Sequence, residues 1–134
     1  MNPSIIADTN VVSFYVKRDT RIALFEPYLR DATVGISFMT VAELYKWEEL
    51  RGWGPRLRAD VAATLNTYVV LPPDRETCRF WARVIADCTR IGRPITGDDA
   101  WIAAAALQRG VPLVTYNRRD FAAVPGLRLL PEAT

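Results

Sequence analysis

The side chains best suited to chemistry in this sequence are carboxylates that stand at four separate places. Asp8 ends an apolar run in I-I-A-D-T-N, and Glu43 follows a second apolar run in S-F-M-T-V-A-E-L. Asp98 and Asp99 open an alanine-rich segment, and Asp120 closes the run L-V-T-Y-N-R-R-D. Carboxylate oxygens are the ligands that Mg²⁺ and Mn²⁺ prefer, and such an ion can activate water for attack on a phosphodiester. If the four places meet in space, they can form a metal-dependent hydrolytic site.

The residue composition excludes most other catalytic schemes. The chain has no histidine, which excludes His-based nucleases, most zinc sites and Ser–His–Asp triads. The two cysteines, Cys78 and Cys88, fall in one predicted helix at a separation of about 15 Å, far beyond disulfide reach. We expect both to be buried free thiols. Water activated by a metal ion is therefore the hydrolytic chemistry that these residues favour.

Each acid also has a purely structural interpretation. Three of the four places fit or resemble the pattern of a helix capping box: Thr40-x-x-Glu43, Thr96-x-x-Asp99 and Asn117-x-x-Asp120. Negative charge stabilises the first turn of a helix, so each of these acids, taken singly, is expected to cap one. Asp8 differs, because the sequence indicates no helix start that it would need to cap. Spacing alone therefore leaves helix caps and a shared site both open.

The chain alternates between short β-branched runs and segments of helical period. The runs predict five strands, at residues 4–7, 33–38, 68–71, 111–115 and 127–130. The helical segments are 41–53, a helix that opens at Pro55, 74–91, 98–109 and a shorter stretch at 21–31 that Pro27 divides or kinks. Strands that alternate with helices imply parallel pairing, with helices on both faces of the sheet.

We therefore predict an α/β fold, a three-layer α/β/α sandwich with a mainly parallel central sheet, as one domain over residues 1–134. Ligands of such sheets bind beyond the carboxyl ends of the strands, which is where the acids fall in this sequence. The predicted fold thus favours a shared site over separate helix caps.

The bulk composition is that of an ordinary globular domain and does not by itself indicate a ligand. Half of the residues are hydrophobic, and the net charge of +2 permits RNA binding without arguing for it. No apolar run approaches the roughly 20 residues of a membrane span, and no charged-then-apolar leader opens the chain. We therefore expect a cytoplasmic protein that does not enter a membrane.

Aromatic and arginine side chains around the end of the helix at 41–53 have two interpretations each. Three aromatic side chains could stack on RNA bases, namely Tyr45, Trp47 and Trp53. Aromatic residues on a helix, however, more often belong to a core or an interface. The arginines could hold phosphates, although a solvated helix face is their commoner role: Arg51, Arg56 and Arg58.

Taken in order along the chain, the motifs resemble those of the PIN-domain family and, within it, of the VapC-type toxin ribonucleases. The matching segments are D-T-N at 8–10, S-x-x-T-V-A-E-L at 37–44, D-A-W-I-A-A-A-A-L at 99–107, L-V-T-Y-N-R-R-D-F at 113–121 and V-P-G-L-R at 124–128. Each segment is weak alone, but the ordered set is specific and covers nearly the whole chain.

The resemblance implies that Asp8, Glu43 and Asp99 bind the metal and take part in catalysis. The family's fourth acid falls in T-x-N-x-x-D-F, where this chain offers both Asn117 and Asp120. We assign the fourth metal-binding and catalytic role to Asp120, and we expect Asn117 to position the turn.

Further residues are implied to surround the metal or to contact the substrate. The family commonly places hydroxyl or amide groups near the metal, which here would be Thr9, Asn10, Ser37 and Thr115. Strand-end and turn hydrogen bonding is the alternative role of these four residues. Arg118 and Arg119 flank the presumed metal edge and could hold RNA phosphates or simply be solvated.

The function implied by the resemblance is cleavage of RNA by an endoribonuclease with Mg²⁺, for which Mn²⁺ can substitute. It further implies a homodimeric toxin that a small VapB-like antitoxin silences. Two alternatives within the family are a non-toxin nuclease of RNA processing and an inactive module that only binds RNA or a partner. Repelling acids serve no purpose in such a module, so Asp8, Glu43 and Asp99 together argue against it.

A receiver-type phosphotransferase domain is the alternative outside the family, since it also places acids at strand ends. It would need a lysine near the last strands of the sheet. Neither of the two lysines, Lys17 and Lys46, is there.

Overall fold

The central element of the fold is a five-stranded sheet. The computed structural model describes residues 2–132. The strands are β1 (Ile5–Ala7), β2 (Val34–Ser37), β3 (Val69–Leu71), β4 (Leu113–Val114) and β5 (Leu129–Leu130). Their order across the sheet is β3-β2-β1-β4-β5, and all neighbouring strands are parallel. The five predicted strands are confirmed, and each is shorter than predicted because the β-branched runs extend past the hydrogen-bonded ladder.

Seven α-helices and one 3-10 helix flank the strands within residues 2–132. The helices are α1 (Thr9–Lys17), α2 (Glu26–Leu29), α3 (Phe38–Leu50), α4 (Pro55–Leu65), α5 (Arg75–Ile91), α6 (Gly97–Arg109) and α7 (Arg118–Phe121). The 3-10 helix (Thr20–Leu24) and α2 are the two pieces predicted around Pro27. Within the described residues, no helix combines the length and the apolar character that crossing a membrane requires.

The starts and ends of α5 and α6 lie where their capping residues predict them. Asp74 forms a capping box with Thr77 at the start of α5, and the Thr96 side chain caps α6. Both helices end at a glycine in the left-handed conformation, Gly92 with a φ of 81° and Gly110 with a φ of 66°. Glycine adopts this conformation at little cost, which makes it a common end signal for helices.

Two apolar cores lie on opposite faces of the sheet. Because successive side chains of a strand point to opposite faces, Ile5 and Ala7 pack with α1, α3 and α4, whereas Ile6 packs with α5 and α6. Ile102 and the alanines of α6 are buried against the sheet, as the apolar sequence of that helix predicts. The predicted three-layer α/β/α sandwich is confirmed.

The order of the strands reverses at β1, and this reversal creates a place for a site. From β1 the chain moves outward through β2 to β3, and it then returns to add β4 and β5 on the other side of β1. At such a reversal the crossover connections leave in opposite directions, which opens a crevice at the carboxyl ends of the two central strands. Asp8 directly follows β1 and Thr115 directly follows β4, so both residues lie at this crevice.

Two helices begin where the sequence did not predict a start. No helix is predicted after β1, yet α1 begins at Thr9 without an intervening loop. Its valine-rich sequence has the composition of a strand, but burial of its apolar face in the core outweighs that local preference. The predicted start at residue 41 is also wrong, because α3 begins at Phe38 and Ser37 caps it by accepting from the Met39 N–H at 3.0 Å. Glu43 therefore lies in the second turn of α3 rather than the first.

The prediction that both cysteines are buried is wrong for Cys78. Both thiols are free, and Cys88 is buried whereas Cys78 is exposed. Helix α5 turns Thr77, Val84 and Cys88 inward. Cys78 lies one position, or about 100°, beyond Thr77 on the helix, which takes it off that buried face.

Gly35 in β2 lies where the packing leaves no room for a side chain. A Cβ atom at this position would lie 2.8 Å from Pro3 Cβ and 3.0 Å from Ile6 Cδ1. We predict that Gly35→Ala lowers the free energy of unfolding by about 1–3 kcal/mol, measured by urea denaturation. Gly97→Ala is the control, because its Cβ would meet only Trp81 Cζ2 at an ordinary 3.8 Å. Equal stability of the two variants would contradict this account of Gly35.

Candidate active site

Asp8 is buried at the crevice between β1 and β4, with 4% of its surface exposed. Its Oδ1 atom accepts a hydrogen bond from the Thr9 N–H at 2.7 Å, and its Oδ2 atom accepts one from the Thr115 hydroxyl at 2.8 Å. The Thr115 hydroxyl in turn accepts from the Asn117 N–H at 2.9 Å. These bonds hold one carboxylate across the ends of the two central strands.

The expectation that Asp8 has no helix to cap is wrong, since Asp8 is the N-cap of α1. Its partner, however, is the N–H of Thr9, the first residue of the helix. An N-cap side chain ordinarily accepts from the second or third residue instead. The second oxygen of Asp8 is bonded outside the helix altogether, to Thr115. Capping alone therefore does not account for the position of Asp8.

Glu43 is joined to α1 by a chain of hydroxyl groups. The Thr9 hydroxyl donates to Glu43 Oε1 at 2.7 Å, and the Thr40 hydroxyl lies 2.9 Å from the Thr9 hydroxyl. Because Thr9 gives its hydroxyl proton to the Glu43 carboxylate, Thr40 is the donor in the bond between the two threonines. Both threonines are buried. The buried chain from Thr40 through Thr9 thus orients the Glu43 carboxylate toward α1.

The predicted capping box of Thr40 with Glu43 is wrong for this reason. Ser37 caps α3, and the Thr40 hydroxyl bonds to Thr9 instead of the helix start. Thr40 lies beside the acids although the sequence predicted it only as a cap. Its spacing of three residues from Glu43 puts both on one face of a helix, and that signal was available in the sequence.

Asp99 lies in the first turn of α6, where Thr96 is confirmed as the helix cap. The Thr96 hydroxyl accepts a hydrogen bond from the Asp99 N–H at 3.1 Å. The side chain of Asp99 is half-buried, and the charges of Asp120 and Glu43 act on it. Asp99 therefore takes part in the cap of α6 and also belongs to the acid cluster.

Asp120 is exposed in the short helix α7, and it lines a cavity of about 250 Å³ together with Asp99. The Asp120 N–H donates to the Asn117 carbonyl at 3.0 Å, so Asn117 begins the helix through its backbone. The Asn117 side chain makes no capping hydrogen bond and lines a different cavity. Of the two candidates for the fourth acidic position, only Asp120 lines the cavity that contains Asp99.

Burial and repulsion from neighbouring acids raise the pKa values of Asp8, Glu43 and Asp99. Burial is the main cause that raises the pKa of Asp8 to about 7, against hydrogen bonds from Thr115 and Thr9, and the charges of Asp99 and Glu43 raise it further. The pKa of Asp99 is raised to about 6 by burial and then by the charge of Asp120, with smaller contributions from Glu43 and Asp98.

The pKa of Glu43 is also raised, first by burial and then by the charge of Asp98. The hydrogen bond from Thr9 and the charge of Lys46 oppose this shift. The charge of Asp99 thus interacts with those of Asp8, Glu43 and Asp120, so the acids from the four places in the sequence lie near one another.

The chemistry of this acid cluster suits a hard divalent cation. All four groups are oxygen donors, and burial, together with repulsion from neighbouring acids, raises the pKa values of Asp8, Glu43 and Asp99, which a bound cation would oppose. Within residues 2–132, no three acidic or cysteine side chains already have the close arrangement of ligands around one ion. The donor set therefore fits a metal by its chemistry and its charge.

The remaining predicted residues have separate places around the acids. Ser37 is a helix cap, and Asn10, in the first turn of α1, lines the same cavity as Asn117. The Arg118 guanidinium donates to the Pro131 carbonyl, which ties it to the end of the chain. Arg119 is exposed and lines the cavity of Asp99 and Asp120, as does Arg93, which the sequence analysis did not single out.

Comparisons with known proteins agree on one family. The family model for the PIN domain matches residues 5–127. The chain is 32% identical over 124 residues to Ribonuclease VapC5 of Mycobacterium tuberculosis, an alignment that covers 90% of this chain and 87% of that protein. It is 31% identical over 121 residues to the tRNA(fMet)-specific endonuclease VapC of Shigella flexneri, covering 90% of this chain and 92% of that protein.

A solved structure is similar to this chain over almost its whole length. The crystal structure is that of VapBC-5 from Mycobacterium tuberculosis, a member of the VapBC family of toxin-antitoxin systems. The TM-score is 0.67 at 29% sequence identity, and the match covers 95% of this chain and 98% of that one.

The raised pKa of Asp8 predicts how stability depends on pH in the presence of EDTA. The folded chain binds a proton at Asp8 more tightly than the unfolded chain, whose pKa is the ordinary 3.8, so stability falls as pH rises from about 4 to 7 and is level above. We predict a loss of about 2 kcal/mol between pH 5 and pH 8, measured by urea denaturation. Asp99, whose pKa is raised to about 6, adds a smaller loss in the same window, and no histidine titrates there because the chain has none.

Asp8→Asn should remove most of this pH dependence and raise stability at pH 8 by about 1–2 kcal/mol. Asp31→Asn is the matched control, because it makes the same change at an exposed position. A lower stability of Asp8→Asn at pH 8 would instead favour helix capping as the dominant role of Asp8.

Proposed function

The chain belongs to the PIN domain family and, within it, to the VapC group, and we propose that it is a metal-dependent endoribonuclease. The observation that carries the proposal is the buried carboxylate of Asp8, bonded across the two central strands and acted on by the charges of Asp99 and Glu43. Burying such a group destabilises the folded chain at neutral pH, and binding a cation accounts for its presence. Two relatives, named as a ribonuclease and a tRNA endonuclease, support RNA as the substrate.

In this proposal Asp8, Glu43, Asp99 and Asp120 hold Mg²⁺, or Mn²⁺ in its place. The ion would activate a water molecule and stabilise the charge that develops on the attacked phosphodiester. The threonines of the chain orient two of its ligands: Thr115 donates to Asp8, and Thr9 donates to Glu43. Each bonded carboxylate oxygen keeps a further lone pair for the ion.

Arg119 is the phosphate contact that we propose beside the acids. It is exposed and shares a cavity with Asp99 and Asp120, where its charge would offset the repulsion between RNA and the acids. Arg118 is instead engaged with the Pro131 carbonyl, so we assign it to positioning the end of the chain.

We further propose that this single PIN domain is the toxin of a toxin–antitoxin pair. It would act in the cytoplasm as a homodimer and be silenced by a small VapB-like antitoxin. Support comes from VapBC-5, which belongs to a family of toxin–antitoxin systems and whose fold this chain shares over 95% of its length.

The nuclease proposal predicts cleavage that depends on a divalent metal and on Asp8. The purified chain should cut structured RNA with single-stranded loops in Mg²⁺ or Mn²⁺, and not in EDTA, as seen on gels of end-labelled RNA. Asp8→Asn should lower the cleavage rate about 100-fold or more without unfolding the protein, because it removes one ligand charge. The exposed Asp31→Asn again serves as the matched control.

Cleavage by Asp8→Asn at the wild-type rate would overturn the metal site. A chain that cuts RNA but is harmless when overexpressed, and is unaffected by the product of a neighbouring gene, would remove the toxin part of the proposal. The nuclease part would then stand.

The assignment of the fourth acid predicts an order of two variants. Asp120→Asn removes a negative charge beside Asp99, whereas Asn117→Ala removes a side chain that makes no capping bond. We expect Asp120→Asn to lower the cleavage rate about tenfold or more, with partial rescue by added Mn²⁺, and Asn117→Ala to lower it less. Inactive Asn117→Ala beside fully active Asp120→Asn would reverse the assignment.

A further inference from the structure

A second cavity beside the acids is lined by cations and aromatic rings. Its volume is about 260 Å³. Helix α1 contributes Lys17 to its wall, α3 contributes Trp47 and its C-cap Arg51, and the segment after β4 contributes Tyr116 and Asn117. Neither the acid cluster nor the proposed roles of its residues account for this combination of groups.

The cavity is close to Asp8 through a short path of hydrogen bonds. Asn117 lines the cavity, and its N–H donates to the Thr115 hydroxyl at 2.9 Å. That hydroxyl donates to Asp8 Oδ2 at 2.8 Å. Asn10, two residues after Asp8, lines the same cavity. A ligand in the cavity would therefore lie next to the acid cluster.

The cavity also contains one acid, Asp19, which pairs with Arg21 and whose charge also acts on Lys17. Two of its three cations, Lys17 and Arg51, remain as contacts for an anion. The four ion pairs within residues 2–132 include neither Lys17 nor Arg51. Both instead lie over aromatic rings, Lys17 Nζ at 5.0 Å from the centroid of Trp53 and the Arg51 guanidinium at 4.5 Å from that of Trp47. A cation over a ring keeps N–H groups free for a phosphate.

Tyr116 gives the cavity an exposed ring that is held in place. Tyr116 as a residue is 46% exposed, although Phe14 meets its ring edge-on at 5.2 Å and the Arg21 guanidinium lies 5.4 Å from the ring centroid. Arg21 is itself fixed by Asp19, at 2.7 Å. Exposed aromatic rings beside cations are the platforms on which single-stranded nucleic acids stack their bases.

We propose that this cavity binds one nucleotide of single-stranded RNA next to the bond that is cut. Tyr116 stacks on the base, and Lys17 and Arg51 bind the adjoining phosphate. The assignment rests on the proposed nuclease function and adds to it the contacts that hold the substrate. Such contacts are needed because the acids repel the RNA backbone, and neighbouring positive charge offsets that repulsion.

The test measures RNA binding apart from cleavage. The probe is a fluorescein-labelled single-stranded oligoribonucleotide of mixed sequence, titrated with the full chain in EDTA at several KCl concentrations and followed by anisotropy. Lys17→Gln/Arg51→Gln should raise the Kd about tenfold or more and reduce the slope of log Kd against log salt by about 1–2. The matched control is Arg79→Gln/Arg83→Gln, which removes the same charge from the exposed face of α5. Like Arg51, Arg83 lies over an aromatic ring, 5.4 Å from the centroid of Phe80.

A second pair of variants tests the ring of Tyr116 without any change of charge. Tyr116→Leu should raise the Kd about tenfold, and Tyr116→Phe should leave it within about twofold, because only the former removes the stacking surface. Melting temperatures of both variants are measured first, since Tyr116 packs against Phe14. The charge variants carry the test if Tyr116→Leu does not fold.

The possible results separate the cavity from the nuclease. If Lys17→Gln/Arg51→Gln binds RNA like the wild type or like its control, the assignment is overturned, whether or not the chain cuts RNA. If Lys17→Gln/Arg51→Gln binds RNA normally but is no longer inhibited by the protein of a neighbouring gene, the cavity binds a protein segment. That result also overturns the assignment. A wild type that binds RNA as expected here but does not cut it in Mg²⁺ overturns the nuclease and supports the cavity.

Discussion

The buried carboxylate of Asp8, at the point where the order of the strands reverses, is the constraint on which the rest of the site depends. An ionised group in that position is costly unless hydrogen bonds or charges compensate it. The Thr9 N–H is available because α1 starts without a loop, and the Thr115 hydroxyl is available because β4 pairs directly with β1. The order of the strands and the start of α1 therefore each supply one hydrogen bond to the Asp8 carboxylate.

Charged side chains of both signs line the two cavities near this point. Asp99 and Asp120 share one cavity with Arg93 and Arg119, and Lys17 and Arg51 share the other with Arg21 and Asp19. The hydrogen-bonded path from Asp8 through Thr115 to the Asn117 N–H links the acids to the second cavity. The acid cluster could thus hold a cation, and Lys17 and Arg51 nearby could hold an anion. An RNA phosphate that binds beside a metal ion requires both kinds of contact.

Much of this arrangement could be predicted from the sequence, because strand–helix alternation and the rule for parallel sheets already place Asp8 and Glu43 near one edge. The errors have a common physical cause, which is that packing overrides local preference. Helix α1 has a strand-like sequence and is held as a helix by its buried face. Thr40 fits a capping pattern, but Ser37 caps α3 and leaves Thr40 to bond with Thr9. The second cavity joins residues distant in sequence, which no local pattern indicates.

Calorimetric titration of Mn²⁺ into the chain measures whether the buried, partly protonated acids bind a metal. Titrations in buffers of different ionisation enthalpy report the protons released on binding. With pKa values of about 7 for Asp8 and about 6 for Asp99, binding should release about one proton at pH 6.5 and almost none at pH 8.5. Asp8→Asn should lose most of the affinity and of the proton release. If the chain binds Mn²⁺ at neither pH, or if Asp8→Asn binds it as the wild type does, the buried acids are not a metal site.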